Sequence, residues 1–311
     1  MNDRESEIVK TNELKATIRH LLKERNAIFL AHNYQPSEIQ DMADLCGDSL
    51  ELSIQAARTD AAVILFCGVH FMAETAAILS PDKTVLLPRA HAGCPMAEMI
   101  DPDSLQARID ELPPMPVVTY VNSSAAVKAL STICCTSANA VAVVESLDAE
   151  AVLMTPDRNL AHYTAARTKK KVHIWDGCCP FHDQLTPEDV RRAREAHPEA
   201  VFMAHPECRP EVLALADVIT STSGMLRTAA ESDSRRFIVG TEVGLLYPLK
   251  KANPSKEFFP ASDRMLCEDM KKISLHDVLR SLERLHGRVT VPEDIRRPAF
   301  AAVQRMIDLA L

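Results

Sequence analysis

Apolar and polar positions switch repeatedly between a helical and a strand period along this chain. Leu14, Ile18, Leu21 and Leu22 form one stripe on an N-terminal helix that follows a polar tail. Ala27-Ile28-Phe29-Leu30-Ala31 is an unbroken apolar run of strand length, and it ends in His32-Asn33-Tyr34-Gln35-Pro36. A helix follows to about Leu45, and Gly47-Asp48-Ser49 opens another that runs to Arg58. Strands are predicted at 62–66, 84–87, 117–121, 132–135, 152–155, 171–174, 200–204, 218–220 and 237–240, with a helix at 71–79 and helical patterns between the later strands. Strands separated by helices specify right-handed βαβ units and parallel sheets. Two amphipathic helices close the chain. One starts at the capping box Ser274-Leu275-His276-Asp277 and carries Leu275, Val278, Leu279, Leu282 and Leu285; the other spans 292–309.

Composition narrows the class. A length of 311 residues allows two or three domains, and 47% apolar content supplies their cores. The net charge of −8 and the lack of a basic block argue against a nucleic-acid partner. No apolar run is long enough to cross a bilayer, and Met1-Asn2-Asp3-Arg4-Glu5 is too polar for a signal peptide, so a cytoplasmic protein with no membrane partner is expected. In that reducing setting nine cysteines are core residues, catalytic thiols or metal ligands. The eight glycines form neither a dinucleotide nor a nucleoside-triphosphate fingerprint.

The most pointed stretch is Trp175-Asp176-Gly177-Cys178-Cys179-Pro180-Phe181-His182, a loop between the strand at 171–174 and a helix start at Thr186-Pro187-Glu188-Asp189. In open α/β sheets the carboxyl ends of strands are where ligands bind. Cys46, Cys67, Cys134 and Cys135 lie in apolar or strand contexts, whereas Cys94, Cys178, Cys179, Cys208 and Cys267 are loop candidates. No zinc or ferredoxin spacing selects among these five. Cys94, Cys179 and Cys267 are nonetheless 85 and 88 residues apart, which suggests three similar units that each offer a loop to one centre. Polar residues also recur at strand ends: His32 and Tyr34; Tyr120, Asn122 and Ser123; Thr136, Ser137 and Asn139; His205 and Glu207; and Ser221 to Gly224. The hydroxyls before helices serve equally as caps or as anion cradles. His205-Pro206-Glu207 presents an imidazole and a carboxylate suited to moving protons near neutral pH.

Ala31-His32-Asn33-Tyr34-Gln35, Gly47-Asp48-Ser49, Ala92-Gly93-Cys94-Pro95-Met96-Ala97, Tyr120-Val121-Asn122-Ser123, Cys135-Thr136-Ser137-Ala138-Asn139, Trp175 to His182, His205-Pro206-Glu207-Cys208, Ser221-Thr222-Ser223-Gly224-Met225, Gly240-Thr241-Glu242 and Met270 to Leu275 resemble the motifs of the quinolinate synthase family. They stand in that family's order over residues 27 to 276.

The resemblance implies three similar small parallel-sheet α/β domains, arranged pseudo-threefold around a central active-site cavity. Expected bounds are 12–95, joined by C-terminal helices over 275–311, then 96–180 and 181–274. It implies a transferase of NAD biosynthesis that condenses iminoaspartate with dihydroxyacetone phosphate to quinolinate. Its cofactor would be a 4Fe-4S cluster held by three cysteines, here Cys94, Cys179 and Cys267, leaving one iron open as a Lewis acid. Implied catalytic residues are Glu207, His205, His32, Tyr34 and Tyr120. Implied substrate-binding residues are His32, Ser49, Tyr120, Asn122, Ser137, His205, Glu207, Ser221 and Thr222. A functional link to an aspartate-oxidising enzyme follows as well. The family pattern breaks at Tyr247-Pro248, where a basic or His-containing pair is expected after Gly-Leu-Leu, and Cys178 is an additional thiol next to Cys179 that is able to stand in for it. The alternatives are an iron–sulfur sensor or electron-transfer protein, which would not need His205, Glu207 and Tyr120 around a cavity, and a dehydratase of another small acid, which would differ in pocket shape.

Overall fold

The computed structural model describes residues 3–309. Thirteen strands among them form three sheets. In chain order they are β1 Ala27–His32, β2 Leu45–Gly47, β3 Val63–Cys67, β4 Thr84–Leu86, β5 Val117–Tyr120, β6 Ile133–Cys135, β7 Ala151–Thr155, β8 Lys171–Ile174, β9 Val201–Ala204, β10 Val218–Ile219, β11 Arg236–Gly240, β12 Glu257–Pro260 and β13 Arg288–Val289. The sheet orders are β13-β4-β3-β1-β2, β6-β5-β7-β8 and β10-β9-β11-β12. Apart from β13, which pairs antiparallel with β4, every pairing is parallel. Each set of four consecutive strands therefore adopts one order: second, first, third, fourth. The three-unit architecture expected from the spacing is present as a repeat of topology.

Burial explains why the strands carry almost no alternation. Helices cover both faces of a parallel sheet, so Phe29, Leu30, Ile64, Leu65, Val118, Phe202, Phe237 and Ile238 are all fully enclosed. Residues of all three sheets, including Leu30, Val118 and Val239, join one continuous core. The last helix, Glu293–Asp308, packs on the helices Ala125–Ala129 and His70–Leu79 and on β6, and so clamps the first unit to the second. Its Arg296 also reaches the Ile78 carbonyl at 3.3 Å.

Four local expectations need correction. The polar start is helical from Asp3, continuous with the stripe that ends at Glu24. The helix expected to run to Leu45 is the short Ser37–Met42, and Leu45–Gly47 is the edge strand β2, too short for any period to reveal. Strands β12 and β13 were not anticipated. Leu285 does not extend the apolar stripe of the helix Leu275–Arg284; it is the left-handed C-cap, with φ of 49°, and is exposed. The capping box at Ser274 and Asp277 is formed as the sequence predicts.

Candidate active site

Equivalent strands deliver equivalent contributions to one cavity. The first strand of each unit leads into a pair of residues two apart: His32 and Tyr34 at the end of β1, Tyr120 and Asn122 at the end of β5, His205 and Glu207 after β9. The second strand leads into a hydroxyl at or before a helix start: Ser49, Ser137 and Thr222. The fourth strand leads into a cysteine loop: Cys94, Cys179 and Cys267. All twelve line the cavity. Ser221 does not; its Oγ accepts the Gly224 N–H at 3.3 Å and caps the helix Thr222–Glu231. Tyr247 and Pro248 also lie off the cavity, with the Tyr247 hydroxyl donating to Asp41 at 2.6 Å.

The Trp175–His182 loop is pinned to the end of β7. Arg158 N–H donates to the Gly177 carbonyl at 2.7 Å, and a Cβ on Gly177 would sit 2.6 Å from the Pro156 carbonyl oxygen, which is why glycine stands there. Cys179 then begins the short turn Pro180–Asp183 and turns inward, while Cys178 lies in the field of Arg158, off the cavity lining.

A continuous hydrogen-bond chain crosses the floor of the cavity. The Tyr34 hydroxyl meets Thr241 Oγ1 at 2.6 Å, and Thr241 Oγ1 meets His182 Nε2 at 2.8 Å. His182 Nδ1 lies 2.9 Å from Glu207 Oε2 and 3.1 Å from Cys179 Sγ. The same Glu207 oxygen is 3.1 Å from His205 Nδ1, and His205 Nε2 is 3.1 Å from Ser137 Oγ. The two imidazoles stack at 4.7 Å. Burial by itself pushes the Glu207 carboxyl up, but the His182 and His205 rings outweigh it and hold the group well below the usual carboxylate range. Burial also lowers His205, against the pull of Glu207. Glu207 is therefore a carboxylate beside a neutral His205, whose Nδ1 faces both Glu207 Oε2 at 3.1 Å and the Glu207 N–H at 3.4 Å. Glu207 Oε1 and Asn122 Oδ1 are buried without a partner among the described residues.

Elsewhere in the lining, burial followed by the charge of Lys271 lowers His32 to about 3. Its Nδ1 accepts the Tyr34 N–H at 3.2 Å, which leaves the ring proton on Nε2. Burial, then Glu207, holds the Tyr34 and Tyr120 phenols protonated far above their ordinary range. His182 and Thr241 went unassigned in the sequence reading. Their signals were the position of His182 one turn after Cys179 and the Gly240-Thr241-Glu242 motif at a strand end.

A model of the family described as quinolinate synthetase A protein (NadA) matches residues 16–308. The chain belongs to the quinolinate synthetase A family. Relatives include the quinolinate synthase of Geotalea uraniireducens, 57% identical over 95% of this chain and 97% of the relative. That of Geobacter sp. (strain M21) is 55% identical over 94% and 97%, and quinolinate synthase 1 of Methanosarcina acetivorans 53% identical over 95% and 97%.

Quinolinate synthetase A membership implies an iron–sulfur cluster and small-molecule substrates, and the three cavity cysteines fit such a group. Burial raises Cys94 to about 12, Cys267 to about 11 and Cys179 well above the ordinary thiol value, so these sulfurs ionise only beside a cation. Backbone N–H groups nonetheless point at each sulfur from the turn that follows it: Ala97 and Met96 at Cys94, His182 at Cys179, Met270 and Asp269 at Cys267. Donors aimed at a sulfur favour the thiolate and are how proteins tune cluster ligands. Cys179, His182 and Glu207 also lie within 4.8 Å of one another, close enough to hold a single ion. Both nitrogens of His182 already have protein partners, so that trio is better described as a hydrogen-bonded set. Cys208 is fully buried, with its thiol directed to the Gly240 carbonyl at 3.4 Å. No helix among the described residues is long and apolar enough to cross a membrane.

Proposed function

We propose that this cavity condenses iminoaspartate with dihydroxyacetone phosphate to quinolinate, water and phosphate, with a 4Fe-4S cluster held by Cys94, Cys179 and Cys267. When bound, the cluster supplies an iron without a cysteine ligand that acts as a Lewis acid. Glu207 and His205 exchange protons with the substrates: the pair lines the cavity, and Glu207 Oε1 has no partner among the described residues and is open to one. Tyr34 stands at the head of a relay: as its oxygen takes a proton from the substrate, its own proton passes to Thr241 and the Thr241 proton to His182 Nε2, so the phenol stays neutral and Glu207 stabilises the imidazolium that results. Tyr120 and His32 Nε2 offer neutral donors to carbonyl or carboxylate oxygens, and Asn122 orients the chain of the substrate. Ser49, Ser137 and Thr222 receive carboxylate or phosphate groups, and the dipole at the N-terminus of the helix Thr222–Glu231 favours an anion there. Ser221 acts indirectly, by fixing the start of this helix.

We take the units to be residues 12–95 with 275–311, 96–180 and 181–274, in a cytoplasmic enzyme served by an aspartate-oxidising partner. One observation carries this reading. Three cysteines on equivalent loops of three equivalent units line the same cavity as the His205–Glu207 pair. The test is anaerobic reconstitution followed by product identification with both substrates. Quinolinate is expected. A loaded cluster with no turnover would point to a sensor or electron carrier, and turnover of a hydroxy acid but not of dihydroxyacetone phosphate to a different dehydratase.

A further inference from the structure

Behind each cysteine loop stands a carboxylate that accepts a backbone N–H of that loop. Asp157, two residues past β7, takes the Leu160 N–H on Oδ1 at 2.6 Å and the Cys179 N–H on Oδ2 at 3.0 Å. Glu242, two residues past β11, occupies the equivalent position in the third unit. It takes the Cys267 N–H on Oε1 at 3.2 Å and pairs with Lys271 at 2.9 Å. The equivalent residue past β3 is Val69, which has nothing to accept with. There Asp269, from the turn after Cys267, takes the N–H of Gly93, next to Cys94, on Oδ1 at 3.0 Å.

Asp157 and Glu242 are 2% and 1% exposed, and burying a carboxylate is costly unless its bonds are needed. A helix cap requires one oxygen; the second oxygen of Asp157 goes to the cysteine. The same device at matching positions of two units, and its replacement by Asp269 where the third has a valine, is not explained by packing.

We propose that Asp157, Glu242 and Asp269 are positioning residues for the cluster. Each fixes the peptide plane of its cysteine loop, so that the sulfur and the N–H donors of the following turn stand ready before iron and sulfide arrive. This rests on reading Cys94, Cys179 and Cys267 as the ligands. Outer partners that orient metal ligands typically change metal affinity about 10- to 100-fold when removed.

The experiment compares iron release to excess chelator from anaerobically reconstituted wild type, Asp157→Ala, Glu242→Ala, Asp269→Ala and Asp269→Asn. Thermal unfolding of each cluster-free protein is recorded as the folding control. Asp269 is the decisive site because its side chain is 15% exposed, so its substitution buries no unpaired group, and the unfolding control reads whether each variant folds. Asp269→Ala is expected to release iron about 10-fold faster than wild type or more. Asp269→Asn keeps an acceptor oxygen for Gly93 and is expected within about twofold of wild type, the spread of a neutral substitution. Release from Asp269→Ala at the wild-type rate overturns the proposal, and so does release from Asp269→Asn as fast as from Asp269→Ala. A cluster that persists in Cys94→Ser, Cys179→Ser or Cys267→Ser overturns the ligand reading instead, which the parallel arms distinguish.

Discussion

Thr241→Val removes one hydroxyl and almost no volume from the chain that links Tyr34 to His182. Thr241 is 1% exposed and does not line the cavity, so the substitution leaves the substrate-contacting surface as it is. The lost contacts are those at 2.6 Å to Tyr34 Oη and 2.8 Å to His182 Nε2. A buried partner left unsatisfied costs about 1–3 kcal/mol, so with two orphaned groups the expected loss of stability is about 2–6 kcal/mol. A positioned proton-transfer group contributes about 10²- to 10⁴-fold in rate, so kcat should fall at least about 100-fold. KM should stay within about threefold, since uniform binding is untouched. The assay is steady-state quinolinate formation under anaerobic conditions, normalised to cluster content read from visible absorbance. Thr241→Ser, which keeps the hydroxyl, should recover most of kcat. A Thr241→Val enzyme with a full cluster and a kcat within about threefold of wild type would refute the relay.

Cys179→Ser should lose both the cluster absorbance and activity, while Cys178→Ser keeps them, because Cys178 lies off the cavity beside Arg158; rescue of Cys179→Ser by Cys178 would show as residual absorbance that disappears in the double variant. His32→Asn should flatten the acid side of the stability profile of cluster-free protein. The unfolded chain takes up a proton on His32 near pH 6.5 and the folded chain only at about 3, so acidification through that window favours unfolding, and Asn keeps an acceptor for the Tyr34 N–H without titrating. An unchanged slope of melting temperature against pH between those limits would count against a neutral buried His32. Tyr247→Phe should cost at most about 1 kcal/mol and leave kcat unaltered, since Asp41 retains Lys251 at 2.5 Å and the site is solvent-facing; a large loss of activity would put Tyr247 back in the catalytic machinery.

Much of the fold was legible because parallel strands buried on both faces leave apolar runs such as Ala27 to Ala31, and because helix starts carry local signatures such as Ser274 and Asp277. The pieces that escaped were short. Leu45–Gly47 and Arg288–Val289 are held by neighbours in the sheet rather than by any pattern of their own. The cysteines illustrate the same division. Local context could set aside Cys134 and Cys135, which are buried in β6, but it left Cys178, Cys179 and Cys208 level. Only the turn of the Trp175–His182 loop sends Cys179 inward and leaves its neighbour outside, and only the packing of the third unit buries Cys208.

The chain by itself determined which chemistries were available: thiols in loops, an imidazole and a carboxylate on a stiffened strand end, and hydroxyls before helices. These depend on neighbours a few residues away, and neighbours at that range leave a readable period or cap. The tertiary structure decided which of these groups act on one another. Tyr34 and Thr241 are 207 residues apart, Gly93 and Asp269 176. A hydrogen bond across such a distance is made by the closure of three sheets on one cavity, and it imposes no spacing along the chain. That is why Thr241, His182 and the carboxylates behind the cysteines became visible as a working set only in three dimensions.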